Sequence, residues 1–170
     1  RNTCTSIAFL TMRVQAPDND DWKKLVHLMR YVRGTRTMPL ILSANGTGTL
    51  KWWVDASFAV HPNLRRHSDG GLSMGRGFPI VASTKQKLNT QSSTESEIVA
   101  ADHFMLAICW TRYFMESQGY TVNDNILYQD NKTSILLEKN RKASSSKRTK
   151  HINIRYFFII DQIQSNELSV

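Results

Sequence analysis

Cysteine is scarce in this chain. Of its 170 residues only Cys4 and Cys109 are cysteines, and neither has a second cysteine nearby. This spacing excludes a zinc site built on paired cysteines, and it does not provide the disulfide framework on which small secreted domains depend. We therefore expect reduced thiols in an intracellular protein.

Long hydrophobic runs are also absent. The most apolar segment, residues 152–163, contains Asn153, Arg155 and Asp161 and is well short of the roughly 20 apolar residues that a membrane-spanning helix needs. Residues 1–14 lack a compact apolar stretch followed by a small-residue cleavage site, so no secretory signal is predicted. The chain starts with an arginine and stops within a predicted strand, and we expect both ends to continue in a longer protein.

Acidic residues are outnumbered by basic ones. The chain has 14 Asp and Glu against 22 Lys and Arg, which gives a formal net charge of +8. Such an excess is typical of proteins that bind a polyanion, although composition does not say which one. Because 41% of the residues are hydrophobic, the chain can form a core, and its length suggests one domain with an attached fragment.

Hydrophobic periodicity predicts a helix, then three strands, then alternating helices and strands. The expected strands are 37–43, 50–58, 71–74, 78–83 and 125–129, with loops at 44–48 and 140–150; the expected helices are 18–33, Ser93 or Thr94 to about Gln118, 130–139 and 151–164. A last apolar segment starts at Leu168. Hairpin-linked strands followed by alternating elements predict an α/β fold in which helices pack on a mixed sheet.

The first predicted helix starts at Pro17 and Asp18 and ends at Gly34. Its apolar positions recur with helical spacing and are Trp22, Leu25, Val26, Met29 and Val32. Basic residues occupy its other faces, namely Lys23, Lys24, Arg30 and Arg33. A solvated surface is favoured for them over contact with nucleic acid.

Three acids lie at the edges of predicted elements. Asp55 is in a strand, Glu97 is in the first turn of the long helix, and Asp130 joins a strand to a helix. Magnesium prefers oxygen ligands, and phosphodiester-cleaving sites are commonly built from carboxylates that are distant in sequence. Each acid also has a structural interpretation, since Asp55 could end a strand, Glu97 could form a capping box with Thr94, and Asp130 could cap a helix.

The order of these acids resembles that of the ribonuclease H fold. The segments VDASF, STKQ, SSTESE, DNKTSILLEKN and SKRTKHINIRYFFI resemble the ribonuclease H region of Copia-type retrotransposon polyproteins. DDWKKLVHLMRYVRGT is similar to the tail of the reverse transcriptase that precedes it there. The resemblance covers nearly the whole chain and implies two regions, a reverse transcriptase remnant with a linker at 1–47 and a ribonuclease H-like domain at 48–170.

The resemblance implies a mixed sheet with a three-stranded antiparallel meander and packed helices, truncated before the last strand and helix. It implies that Asp55, Glu97 and Asp130 are catalytic metal ligands for two Mg²⁺ ions, with Mn²⁺ as a substitute. Glu97 is chosen over Glu95 because it aligns with the second glutamate of the SSTE-x-E motif. The fourth acid of such sites would lie beyond Val170.

The implied activity is cleavage of the RNA strand of an RNA/DNA hybrid during reverse transcription. The implied partners are the hybrid and the remainder of the polyprotein, with no membrane. The expected location is the cytoplasm, within a retroelement particle, or the nucleus. The predicted loop at 140–150 is rich in basic residues and offers four candidate phosphate contacts, Lys142, Lys147, Arg148 and Lys150. A basic loop that is only solvated is an equally open interpretation.

Two alternatives stay open at this point. One is a catalytically impaired fragment of the same fold that binds nucleic acid without cutting it, because the fourth acid is missing. The other is a different nuclease or an integrase of that fold, against which the SSTESE and KRTKHINIRYFF segments argue.

Overall fold

The computed structural model describes residues 3–57, 66–90, 92–135 and 150–170, and of residues 150–154 and 156 it describes the backbone alone. Its helices are α1 (Cys4–Thr11), α2 (Asn19–Thr35), α3 (Ser93–Ser117) and α4 (Lys150–Gln164), with a further helical stretch at 132–135. Its strands are β1 (Ser43–Ala44), β2 (Thr49–Ser57), β3 (His67–Ser73), β4 (Gly75–Arg76), β5 (Ile80–Lys85) and β6 (Asp124–Tyr128).

A four-stranded mixed sheet in the order β5-β3-β2-β6 organises the molecule. The strands β2, β3 and β5 form the predicted antiparallel meander, whereas β6 runs parallel to β2. On its other side β6 contacts Ser169, which forms a parallel bridge with Ile126. The mixed sheet and its meander are therefore confirmed.

The core lies between one face of this sheet and the helices α3 and α4. Along β2 the side chains of Trp52 and Val54 are buried, while those of Trp53 and Asp55 are exposed, as expected from the period of two in a strand. The helix α3 packs on β2 and β3, and α4 packs on α3. The buried side of β2 thus faces α3.

The predicted strand at 37–43 is wrong. Only Ser43 and Ala44 are extended there, and they pair with β4. A strand needs the backbone of a neighbour to satisfy its own polar groups, and 38–42 have no such partner in the part of the chain that the structure describes. Gly75 permits the short pairing, because a Cβ at this position would lie 2.6 Å from the carbonyl oxygen of Ser43.

The helix α2 differs from its prediction in two respects. It continues through Gly34 to Thr35, since one glycine near a helix end costs only about 1 kcal/mol. Its apolar positions are also largely uncovered: Trp22 is 64% exposed and Met29 is 59% exposed. Helical spacing predicted the helix correctly, but it does not tell whether a partner covers the apolar face. Within the described ranges no helix is long and apolar enough to cross a membrane.

Replacing Gly70 of β3 by alanine should destabilise the fold. An added Cβ would lie 2.6 Å from the ring of Phe104, a buried side chain of α3, and overpacking of this kind costs about 1–3 kcal/mol. Gly34→Ala is the matched control, because the Cβ position of Gly34 meets open space and alanine is the better helix residue. Urea unfolding would measure both free energies. Unchanged stability of Gly70→Ala would contradict this packing.

Candidate metal centre

Carboxylate oxygens of Asp55, Glu97 and Asp130 lie within 4.8 Å of one another. The register of the parallel pair brings the two aspartates together, because Trp53 of β2 is opposite Tyr128 of β6. Two residues further along the chain are Asp55, which still belongs to β2, and Asp130, which lies just past the end of β6. Parallel strands present their carboxyl ends at the same edge of a sheet, so these two side chains meet there.

Glu97 reaches the same edge from α3. It lies in the second turn of that helix, and its side chain is only 4% exposed. Its Oε1 accepts a hydrogen bond from the Ala56 backbone N–H at 3.3 Å, next to Asp55 in β2. Its Oε2 is buried and has no hydrogen-bond partner. A buried carboxylate oxygen without a partner is costly, and a cation between the three acids would satisfy it.

The electrostatics of the cluster favour the uptake of positive charge. Burial and, to a smaller extent, the neighbouring carboxylates of Asp55 and Asp130 together raise the pKa of Glu97 to about 7. The Ala56 N–H and the positive charge of Arg66 act against this rise. Near neutral pH the cluster is therefore stabilised either by a proton on Glu97 or by a bound cation.

The capping interpretations of Glu97 and Asp130 are wrong. The cap of α3 is Ser92, whose hydroxyl oxygen accepts from the backbone N–H of Glu95 at 3.1 Å. At 132–135 the side-chain oxygen of Asn131 accepts from Thr133 and Ser134 at 3.0 and 3.1 Å. Neighbouring residues thus cap both helices, and the two acids are left for the cluster.

The three acids suit a hard divalent cation. All are oxygen donors, which Mg²⁺ and Mn²⁺ prefer, and no thiolate or imidazole belongs to the cluster. The exposed Asp55 and Asp130 face the surface, and the buried Glu97 closes the site from the core side. The geometry therefore fits a divalent metal site, and metal binding by these three residues stays a prediction.

An open cleft of about 1070 Å³ borders the cluster. Its lining includes Asp55, Asp130 and three aromatic side chains, Trp53, Phe78 and Tyr128. Trp53 stacks on Tyr128 with ring centroids 5.0 Å apart and meets Phe78 edge-on at 5.3 Å. The aromatic side chains give the cleft an apolar wall beside the acids.

Sequence reasoning missed a third acid that lines this cleft, Asp69. It is the cross-strand partner of Asp55 in the β2–β3 pair, and it lines the same cleft. Its Oδ1 accepts hydrogen bonds from the hydroxyls of Ser83 and Thr5. The hairpin register of two acid-containing strands is the signal that could have found it, because opposite residues of a hairpin share a face.

The predicted phosphate contacts are not tested by the structure. Lys142, Lys147 and Arg148 lie outside the described residues. Lys150 begins α4, but its side chain is not among those described. Their contact with nucleic acid stays a prediction.

The fold defines the class of the protein. A ribonuclease H1 isolated from compost by a metagenomic approach, LC11-RNase H1, is 10% identical to this chain and superposes on it with a TM-score of 0.50, covering 72% of this chain and 82% of its own. The chain has the ribonuclease H-like fold, as predicted. No protein-family model matches it.

The chain is similar to retrovirus-related Pol polyproteins from plant transposons. The chain is 28% identical over 97% of its length to the polyprotein of transposon TNT 1-94 from Nicotiana tabacum, and 29% identical over 95% to that of transposon RE2 from Arabidopsis thaliana. It spans 12% and 11% of the length of these relatives. The predicted resemblance to a retrotransposon polyprotein is confirmed.

Glu97→Gln should stabilise the metal-free protein at pH 8 and have little effect below pH 4.5. The pKa of Glu97 is raised from 4.5 to about 7 in the folded state, so stability is full below pH 4.5 and is lost as the pH rises through 7. The loss is on the order of 1–3 kcal/mol, and glutamine avoids it. Melting temperatures in EDTA at both pH values would measure this difference.

The control for this experiment is Glu95→Gln, two residues earlier in the same helix. It is expected to show no comparable gain at pH 8. Adding Mg²⁺ at pH 8 should raise the melting temperature of the wild type more than that of Glu97→Gln, because the cation replaces the proton. A Glu97→Gln variant no more stable than the wild type at pH 8 would rule out an electrostatic cost at this position.

Proposed function

We propose that the chain is the ribonuclease H region of a Copia-type retrotransposon polyprotein and that it cleaves the RNA strand of RNA/DNA hybrids during reverse transcription. The ribonuclease H-like fold, the relationship to Pol polyproteins and the cluster of three carboxylates support this proposal. We further propose that residues 1–47 are the reverse transcriptase remnant and 48–170 the ribonuclease H-like domain. The remainder of the polyprotein is then its covalent partner.

One observation carries the proposal. Glu97 is almost fully buried, its Oε2 has no partner, and it lies against two further acids. An acid that only stabilised the fold would be paired with a cation or fully hydrogen-bonded. Because this arrangement costs stability in the absence of a cation, it is better explained by metal binding than by structure.

In this proposal Asp55, Glu97 and Asp130 hold two Mg²⁺ ions, for which Mn²⁺ can substitute. When bound, such ions activate a water molecule and stabilise the leaving 3′ oxygen. The Ala56 N–H holds Oε1 of Glu97, and Oε2 is left without a hydrogen-bond partner. The exposed aspartates leave the outer side of the cluster open to a phosphate, and the core behind Glu97 excludes water from the inner side.

The substrate would be recognised by shape. The minor groove of a hybrid presents 2′-hydroxyls and phosphates, which do not depend on base sequence. We therefore propose little sequence specificity. We propose that the protein acts in the cytoplasm within a retroelement particle, or in the nucleus.

Asp130→Asn should strongly reduce cleavage of a labelled RNA/DNA hybrid in Mg²⁺, because a neutral amide oxygen is a weaker ligand for this cation than a carboxylate. Loss of about 100-fold or more is expected, in line with the effect of removing a group that acts directly in catalysis. Asp124→Asn is the matched control, since Asp124 is an exposed aspartate at the opposite end of β6. It should cut like the wild type. A wild type that binds the hybrid in a salt-sensitive way and leaves the RNA intact would favour the impaired binding fragment instead.

Neutralising the four basic candidates should weaken the salt dependence of hybrid binding. Each phosphate contact contributes up to about 0.9 to the slope of the logarithm of affinity against the logarithm of salt concentration. The test variant replaces Lys142, Lys147, Arg148 and Lys150 by alanine. The control replaces Lys23, Lys24, Arg30 and Arg33 of α2, and so removes the same charge. Equal slopes for the two variants would mean that the basic loop is merely solvated.

A further inference from the structure

Two buried polar side chains lie beside the start of α3, each next to the end of a strand of the sheet. Arg66 directly precedes β3 and Gln86 directly follows β5. These strands are antiparallel, so the two residues are adjacent, and the Gln86 backbone N–H donates to the Arg66 carbonyl oxygen at 2.8 Å. Each residue is only 4% exposed. Neither belongs to the cluster of acids.

Both side chains donate hydrogen bonds to the residue next to Glu97. Nη1 of Arg66 donates to the hydroxyl oxygen of Ser96 at 2.6 Å, and Nε2 of Gln86 donates to the carbonyl oxygen of Ser96 at 3.0 Å. Ser96 is fully buried, and its hydroxyl donates onward to the Ser93 carbonyl at 2.7 Å. Nε2 of Gln86 also donates to Ser68 of β3 at 2.9 Å. The start of α3 is thus tied to two strands.

A stabilising role alone does not account well for these residues. Burying a guanidinium costs several kcal/mol, and apolar side chains of similar size often stabilise a core equally well or better. Hydrogen bonds from a rigid donor fix direction as well as distance. What must be fixed here is the orientation of the Glu97 side chain, because its carboxylate has to reach Asp55 and Asp130. Glu97 lies near the start of α3, and helix ends fray unless they are held.

We propose that Arg66 and Gln86 are positioning residues that set the affinity of the carboxylate cluster for its divalent cation, by holding Ser96 so that Glu97 faces Asp55 and Asp130. They position Glu97 through Ser96 and touch neither the cation nor the substrate, and the positive charge of Arg66 also acts on Glu97 directly. This inference rests on the proposed metal-dependent function of the three acids. Partners that orient a metal ligand typically change metal affinity by 10–100-fold when they are removed.

The experiment measures Mn²⁺ binding to the full chain by calorimetry and by the electron paramagnetic resonance signal of free Mn²⁺. The variants are Gln86→Met and Ser96→Ala, which each remove hydrogen bonds to or from Ser96 without adding charge, and Arg66→Met. The control is Arg112→Met. Arg112 lies in the same helix, and its guanidinium donates at 3.0 Å to the carbonyl oxygens of Asn166 and Glu167, far along the chain from the cluster.

We expect a rise in the dissociation constant for Mn²⁺ of about tenfold or more in Gln86→Met and a smaller rise in Ser96→Ala. In Arg66→Met the loss of positioning is partly offset, because removing a positive charge that acts on Glu97 favours a bound cation. Arg112→Met should stay within about twofold of the wild type. Circular dichroism identifies the variants that fold. If Arg66→Met does not fold, the Mn²⁺ affinities of Gln86→Met and Ser96→Ala test the positioning role.

Two different failures can be told apart. Folded variants that bind Mn²⁺ as the wild type does would overturn the positioning role and leave the metal site intact, and so would an equal loss in Arg112→Met. A wild type that binds no Mn²⁺ would overturn the positioning role together with the proposed function.

Discussion

The parallel pairing of β2 with β6 is the interaction on which the candidate site depends. Parallel strands cannot be joined by a tight turn, and the chain between these two forms the rest of the meander and the helix α3. The register then decides that Asp55 and Asp130 share one edge. Because α3 crosses the buried face of the same sheet, its start lies at this edge and brings Glu97 to the aspartates.

The polar residues around the cluster have two roles, capping the helices and positioning Glu97. Ser92 and Asn131 accept hydrogen bonds from backbone N–H groups at the starts of α3 and of the helical stretch 132–135. The neighbouring acids Glu97 and Asp130 therefore have no capping role. Ala56 holds one oxygen of Glu97, while Arg66 and Gln86 hold the turn that precedes it. The result is a carboxylate held in an environment that raises its pKa, and a perturbed pKa of this kind is typical of a functional site.

Much of the fold could be predicted from the sequence. The meander, the long helix and its end at Gly119, and the strand before Asp130 follow from alternating or helical apolar spacing and from glycine. The caps were predicted at Ser93 or Thr94 and at Asp130, whereas the structure has them at Ser92 and Asn131, since residues of suitable type lie at several adjacent positions. The strand at 37–43 failed for another reason: its residues have strand propensity, but a strand also needs a neighbour, which local sequence does not show.

By itself the sequence determined the elements, the excess of positive charge and the acids worth considering, because these depend on residue type and on spacing within a few turns or pleats. Through its motifs it also indicated the family. Only the tertiary structure decided that Asp55, Glu97 and Asp130 meet within 4.8 Å, that Asp69 lies opposite Asp55, and that Arg66 and Gln86 converge on Ser96. Strand register and helix docking are contacts between distant parts of the chain, and no local pattern specifies them.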